Sequence, residues 1–164
     1  IKERLLSGEL DCAVLPETIA MSMRDCCHAA VCQTDMRVLI PRENPMFGCT
    51  SVRLEQLSDM PFVLFDSKDL PEIYARNVVQ CMKAGFMPRV VGTGKKMGDV
   101  AALLHQHKAV GMASEAFVYA QSDDLHLVPI EGMEYRNPLT LTMRSRAVNP
   151  QAKHFFELVS QKSK

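Results

Sequence analysis

Two adjacent lysines, Lys95 and Lys96, follow a glycine-rich turn and precede a segment whose apolar residues recur at helical spacing. The turn, 92–98, comes after a short β-branched run, so it lies where a strand would lead into a helix. The first N–H groups of a helix attract anions, and a lysine ammonium group adds positive charge. The pattern indicates an anion-binding loop, although adjacent lysines are equally often solvated surface charges.

The sulfur-containing residues offer a second kind of chemistry. The chain has 6 cysteines and 11 methionines, and no two cysteines form a Cys-x-x-Cys pair. The group 26–28 with Cys32 matches no common zinc spacing. We therefore expect reduced thiols that fill space in a protein without a bound metal. Sensing of oxidants through sulfur is an alternative.

Catalytic motifs are missing from the sequence. There is no Gly-x-Ser-x-Gly or His-Glu-x-x-His pattern and no aspartate-rich metal loop, and 92–96 lacks the spacing of a phosphate loop. The pair His105 and His107 suits the polar end of a helix. The sequence thus predicts a binding protein that is not an enzyme, with no catalytic residue and no cofactor.

Composition narrows the class of partner. The 164 residues are 47% hydrophobic and carry 19 basic and 19 acidic side chains, so no strongly basic surface is available for DNA. The apolar runs are too short to span a bilayer, and no secretion signal is recognisable. We expect a soluble, cytoplasmic protein with no membrane partner.

The elements around the lysines predict an α/β fold. A strand at 90–91, interrupted by 92–96, leads into a helix that begins near Met97 and then into an apolar run at 109–113. Two apolar strands joined by a helix are typical of a parallel crossover. A second such unit has a strand at 62–65 and a helix at 70–84.

The rest of the chain supplies further strands and helices. We expect a helix end at 1–7 capped by Gly8, and a loop at 17–27. Ser114 should cap a helix over 115–121. The other elements are strands at 11–15, 28–32, 36–40, 125–130 and 139–143, a helical turn within 52–59, and a helix after Pro150.

This order of elements predicts two lobes. The chain leaves one lobe, builds a second and returns, which places 1–40 and 135–164 in lobe one and 41–134 in lobe two. Because the sequence starts inside a helix end, we expect residues before position 1 and an incomplete lobe one, less ordered than lobe two or completed by another chain.

Four stretches resemble the effector-binding domain of LysR-type transcriptional regulators, and the resemblance covers nearly all of the chain. They occur in the family's order at 8–14, 38–46, 57–63 and 84–88. The chain departs from the family pattern at Asn44, where histidine is usual, and at Lys108, where glycine is usual. The proline that is usual at the end of the stretch 104–114 is absent.

The resemblance implies a two-lobe fold similar to type II periplasmic binding proteins, without its first strand, helix and strand. It implies sensing of a small, anionic effector in a cleft between the lobes, and DNA binding only through an N-terminal winged helix-turn-helix absent here. An extracytoplasmic solute-binding protein of a transporter is the alternative with this fold. The residues expected to contact the effector are Leu15, Pro16, Ser67, Thr93, Lys95, Lys96 and Met97.

The resemblance also implies a homo-oligomer, a dimer or a tetramer. The helix at 70–84 is the candidate contact, because Ile73, Val78, Val79 and Met82 give it more apolar surface than one narrow stripe requires. A helix packed only on its own sheet is the simpler interpretation of the same residues.

Overall fold

The computed structural model describes residues 1–116 and 122–162, and its mixture of helices and strands confirms the α/β class. The helices are α1 (Lys2–Ser7), α2 (Glu17–Ala20), α3 (Pro71–Lys83), α4 (Met97–His107) and α5 (Pro150–Lys162). The strands are β1 (Cys12–Pro16), β2 (Cys26–Pro41), β3 (Pro61–Phe65), β4 (Arg89–Gly94), β5 (Gly111–Ser114), β6 (Leu125–Pro129) and β7 (Arg136–Arg144). A 3-10 turn spans Leu54–Leu57.

The chain forms two compact units. Unit 1 contains Ile1–Thr34 and Asn137–Lys164, and unit 2 contains Asp35–Arg136. The lobe limits predicted above divide the chain at nearby positions. Strands β2 and β7 each pass from one unit to the other, so the two connections between the units are strands.

Unit 1 is built on a sheet in which β7 lies between β1 and β2. β1 and β7 are antiparallel, with Cys12 opposite Met143 and Pro16 opposite Leu139. Met143 packs with Ala147 and Ala152, which places α5 against this sheet. Gly8 ends α1 in the left-handed conformation, with φ of 86°, as its position after an amphipathic segment predicted.

Unit 2 contains two β-α-β steps. β3 and β4 are parallel neighbours joined through α3, and Phe65 lies opposite Gly94 at their carboxyl ends. After α4 the chain returns on the other side of β3, where Val63 N donates to Val110 O at 2.9 Å. The predicted crossover is therefore present, but β3 lies between its two strands.

The core of unit 2 lies between these elements and the inner half of β2. β2 pairs antiparallel with β5 through Met36–Leu39 and with β6 through Arg37–Pro41. Buried apolar side chains of β2, β3, α3, β5, β6 and the 3-10 turn form one cluster, and partly buried Val90 of β4 packs against it. The cluster includes Val38, Ile40, Leu57, Phe62, Leu64, Cys81, Val110 and Val128. This cluster gives β3 and β4 a rigid support.

Two expected interruptions are not seen. The glycines of 92–94 do not end β4, because their backbone continues to pair with β3 as far as Gly94. The polar residues 33–35 do not divide β2, which is one strand of 16 residues. Thr34 Oγ1 donates to Asn137 O at 2.8 Å and Asp35 N donates to Glu115 Oε1 at 2.9 Å. These bonds to distant residues satisfy the polar groups within the strand.

The segment 17–27 is not the loop that the sequence predicted. It begins with one turn of helix, α2, and its last two residues already belong to β2. Ile19, Ala20 and Met23 are buried, so their apolar side chains are used for packing although they show no regular period. The predicted helix over 115–121 is described only at its start, where Ala116 N donates to Ser114 Oγ at 3.2 Å. Residues 117–121 lie outside the described residues.

Replacing Lys108 with glycine should raise the free energy of unfolding by about 1 kcal/mol. Lys108 ends α4 in the left-handed region, with φ of 50° and ψ of 34°, where a Cβ atom is unfavourable. Its carbonyl accepts a hydrogen bond from buried Asn44 Nδ2 at 2.6 Å, so the conformation is held in place. Urea unfolding measures the change. Lys108→Ala is the control, and an equal gain from alanine would contradict the explanation, because alanine retains the Cβ atom.

Candidate functional site

Two polar loops meet at the carboxyl ends of the parallel strands β3 and β4. The first loop, 66–70, leads from β3 to α3, and the second, 95–96, leads from β4 to α4. Asp66 N donates to Gly94 O at 3.0 Å, which continues the strand pairing into the loops. In open α/β sheets this edge is where ligands bind. We call these residues, with the first turn of α4, the loop site.

Asp66 links the first loop to the end of β4. Its Oδ1 accepts the backbone N–H of Lys68 at 2.8 Å, and its Oδ2 accepts the hydroxyl of Thr93 at 3.1 Å. The bond from Lys68, followed by that from Thr93, holds the pKa of Asp66 below its usual value. The Thr93 hydroxyl is thus used within the protein, and its proton is not free for a ligand in this arrangement.

The positive charges at the loop site are partly neutralised. Lys95 Nζ lies 3.3 Å from Asp69 Oδ2, and Asp99 Oδ2 accepts the backbone N–H groups of Lys95 and Lys96 at 3.2 and 3.1 Å. Asp99 therefore caps the helix from within its first turn, as an acidic residue at the third helical position does in a capping box. These contacts place one lysine in an ion pair with the neighbouring loop.

Several groups at the loop site have no protein partner among residues 1–116 and 122–162. They include the Ser67 hydroxyl, the Lys96 ammonium group, and the backbone N–H groups of Met97 and Gly98. Space above Gly98 is open, because no atom lies within 4 Å of where its Cβ would be. A small acceptor group can therefore approach the start of α4 without displacing a side chain.

Leu15 and Pro16 belong to unit 1 and lie at the end of β1. Leu15 is buried and lies opposite Thr140, and Pro16 precedes α2 with φ of −53°. The Leu15 side chain packs inside unit 1, and its contact with the effector stays a prediction. Of the seven predicted contact residues, the structure brings Ser67, Thr93, Lys95, Lys96 and Met97 together in unit 2.

The aspartates at 66, 69 and 99 organise the loop site, and the sequence prediction did not assign these roles to them. Asp99 was recognisable, since it lies three residues after the residue that precedes α4. The other two were not, because their partners Thr93 and Lys95 are far away in the sequence. Across the loop site three lysines face three aspartates, Asp99 of α4 included, so an anion is selected by individual donor groups and not by net charge.

The thiols show little sign of activation. Burial raises the pKa of Cys12, Cys26 and Cys49, and it raises that of Cys81 to about 11. All six cysteines are free, and Cys27 and Cys32 are exposed. A reactive thiol requires a lowered pKa, so the environment of these four favours the protonated form.

His105 has a simple structural partner. Its Nδ1 lies 2.7 Å from Glu43 Oε2, and this hydrogen bond lowers the pKa of Glu43. Within residues 1–116 and 122–162, no three histidine, cysteine or acidic side chains are arranged to hold a metal ion. In the same residues no helix is long and apolar enough to cross a membrane.

Comparison with known proteins identifies a family that matches this architecture. The model of the LysR substrate binding domain matches residues 1–164. The transcriptional regulator AlsR of Bacillus subtilis (strain 168) is 22% identical over 158 residues, which are 96% of this chain and 51% of AlsR. The chain thus spans about half the length of this relative.

Solved structures share the fold. CbnR, a LysR family transcriptional regulator, superposes with a TM-score of 0.79 at 18% identity, covering 99% of this chain and 56% of CbnR. The effector-binding domain of BenM with its effector benzoate superposes with a TM-score of 0.72 at 15% identity, covering 98% of this chain and 72% of that chain. The predicted two-lobe fold of effector-binding domains is confirmed by these similarities.

Proposed function

This chain belongs to the LysR substrate-binding domain family, and from that membership we propose that it is the effector-sensing domain of a LysR-type transcriptional regulator. Such a domain binds a small molecule and does not catalyse a reaction. We place this regulator in the cytoplasm, where its DNA is. DNA would be contacted by a helix-turn-helix in another part of the regulator, since the charges of this chain balance.

The observation that carries the proposal is the loop site at the carboxyl ends of β3 and β4. Met97 and Gly98 offer two N–H groups with an open approach, and Lys96 offers an unpaired ammonium group within the described residues. A carboxylate is a group that all of these donors bind well. We therefore propose an effector with a carboxylate that lies at the first turn of α4, near the Ser67 hydroxyl.

The other predicted residues have smaller roles in this proposal. Lys95 and Thr93 shape the site through Asp69 and Asp66. Leu15 and Pro16 belong to unit 1, and their contact with the effector stays a prediction. Effector binding shifts a regulator between conformations, and the regulator passes such a change to its DNA-binding domains.

Two alternatives fit less well. The family match favours a regulator over an extracytoplasmic solute-binding protein of a transporter. The raised pKa values of four cysteines give no support to sensing of oxidants through these thiols.

Small carboxylates should stabilise the chain against thermal unfolding. We suggest benzoate first, followed by a panel of aromatic and alicyclic carboxylates, because benzoate is the effector of BenM. At 100 times its dissociation constant a ligand should add about 2.7 kcal/mol to the free energy of unfolding. Differential scanning fluorimetry identifies the binders and calorimetric titration gives their affinity.

A matched pair of variants locates the binding. Lys96→Met should weaken carboxylate binding by about threefold to tenfold, because one charge-assisted contact is lost at an exposed site. Lys153→Met removes an exposed lysine from α5 of unit 1 and should have no effect. Equal affinities for both variants, or no stabilisation by any carboxylate, would contradict the proposed site.

We further propose that α3 forms a contact between copies of this chain. Ile73 is buried and Val78 packs on the core, so these two residues hold α3 on its own sheet. Val79 and Met82 are 45% and 56% exposed and leave an apolar surface on the outer side of the helix. Exposed apolar residues of this kind are typical of an interface.

Val79→Glu should weaken self-association about tenfold or more, because a carboxylate would have to be desolvated in the contact. Sedimentation equilibrium at micromolar concentration measures the dissociation constant, and circular dichroism checks the fold. Val148→Glu is the control, since Val148 is an exposed residue of unit 1. A dissociation constant that Val79→Glu leaves unchanged would exclude α3 from the interface.

A further inference from the structure

Unit 2 contains a cavity that is separate from the loop site. It has a volume of ≈ 400 Å³, which is within the range of small-molecule sites. Its walls are the last turn of α3, the start of the 3-10 turn, and the segment from Ile130 to Tyr135. None of the loop-site residues lines it. We call it the α3 cavity.

The cavity has a well-supported wall. Val52 N donates to Pro129 O at 3.0 Å and Glu131 N donates to Val52 O at 2.8 Å. These bonds fix the start of the segment from Ile130 to Tyr135, which we call the covering segment. At its other end the Arg76 guanidinium lies 5.9 Å from the centre of the Tyr135 ring, within range of a cation–π contact. The covering segment is therefore anchored on both sides of the opening.

Gln80 is the feature that indicates a ligand. It lies in the cavity wall, it is only 8% exposed, and its amide makes no hydrogen bond within residues 1–116 and 122–162. Buried polar groups in proteins almost always have a hydrogen-bond partner. Gln80 is largely buried as a residue and lines the cavity, so its amide leaves one donor group and one acceptor group for an occupant.

The charges around the cavity select the kind of occupant. Its lining contains three carboxylates, Glu55, Glu131 and Glu134, against one ammonium group, Lys83. Glu131 already accepts a hydrogen bond from the Ser51 hydroxyl, whereas Glu55 and Glu134 have no partner in the described part of the chain. An excess of carboxylates beside an unsatisfied amide favours a molecule with positive charge and N–H donors.

We propose that the α3 cavity binds a small organic cation, whose amino or guanidino group lies between Glu55 and Glu134 while a neighbouring polar group meets the Gln80 amide. Leu54 and Ile130 supply apolar surface for the carbon chain of such a molecule. The two sites share no residue, so a cation in the α3 cavity does not displace a carboxylate from the loop site. The segment 130–135 is followed by Arg136, the last residue of unit 2. A bound cation would therefore hold the chain in place just before it leaves unit 2.

Calorimetric titration with agmatine tests the proposal, with glutarate as a dianion of similar length. Agmatine should bind the chain at low-millimolar concentration or below, and glutarate should not. Amide hydrogen exchange should slow at 131–135 and in the last turn of α3 when agmatine is present. No agmatine binding, tighter binding of glutarate, or protection only in other segments would overturn the assignment.

Three variants make the test specific. Gln80→Leu keeps a side chain of similar size and should weaken agmatine binding about tenfold, as should Glu134→Gln. Glu157→Gln removes an exposed carboxylate from α5 of unit 1 and should leave the affinity unchanged. Circular dichroism and thermal unfolding confirm that each variant folds. Equal affinity of all three variants for agmatine would overturn the proposal, even if Lys96→Met still weakened benzoate binding.

Discussion

Replacing Phe62 with alanine should lower the free energy of unfolding of unit 2 by about 3–5 kcal/mol. Phe62 is 0% exposed and belongs to the buried cluster that supports β3 and β4. Its ring centre lies 5.9 Å from that of Phe86, at an interplanar angle of 44°, so alanine also removes an aromatic pair. The space left cannot be refilled without moving β3, since protein interiors are close-packed.

Urea unfolding followed by circular dichroism measures this loss. Phe155→Ala is the matched control, because Phe155 lies on α5 and is 51% exposed, and its change should stay within about 0.5 kcal/mol. A similar cost for the two variants would show that Phe62 is not at the centre of a packed core.

The parts of the fold that the sequence predicted well are those with strong local signals. The helix expected at 70–84 is observed as Pro71–Lys83, because its apolar residues keep one period and Gly85 can take a positive φ at its end. The strand expected at 62–65 is observed as Pro61–Phe65. In each case the residues that set the limits of the element lie within it or next to it.

The sequence predictions fail where contacts with residues far away in the sequence determine the limits of a strand. The uninterrupted course of β2 depends on hydrogen bonds from Thr34 to Asn137 and from Asp35 to Glu115. The partners are separated by 103 and 80 positions in the sequence. The extension of β4 through Gly94 depends on its pairing with Phe65. Local propensity carries no information about such partners, and tertiary contacts override it.

The same distinction applies to the loop site. Its position was predictable, because two strand ends that lead into helices should meet at one edge of a parallel sheet. Its hydrogen bonds were not, because Thr93 and Asp66 are 27 positions apart. The role of Thr93 changed accordingly: the sequence suggested a donor to the ligand, and the structure shows a donor to Asp66.

Gly94→Ala should lower the free energy of unfolding by about 1–3 kcal/mol and should weaken carboxylate binding as well. A Cβ atom at position 94 would lie 2.7 Å from Val100 N and 2.8 Å from Val100 Cγ2. The first of these is a backbone atom of α4, so the contact cannot be relieved by a change of rotamer. The first turn of α4 must move away from β4, and Met97 and Gly98 move with it.

Gly98→Ala is the matched control for this effect, because the same methyl group is added four residues later and meets no atom within 4 Å. Alanine in a helix is more favourable than glycine, so the free energy of unfolding should stay constant or rise by up to about 1 kcal/mol. Thermal unfolding of both variants compares their stability. Benzoate is titrated into Gly94→Ala and the unmodified chain only, because a Cβ atom at position 98 would itself fill the open approach to the first turn of α4. If Gly94→Ala were as stable as Gly98→Ala, close packing of β4 on α4 would not be what positions the loop site. The N–H groups of Met97 and Gly98 would then need another explanation for their fixed orientation.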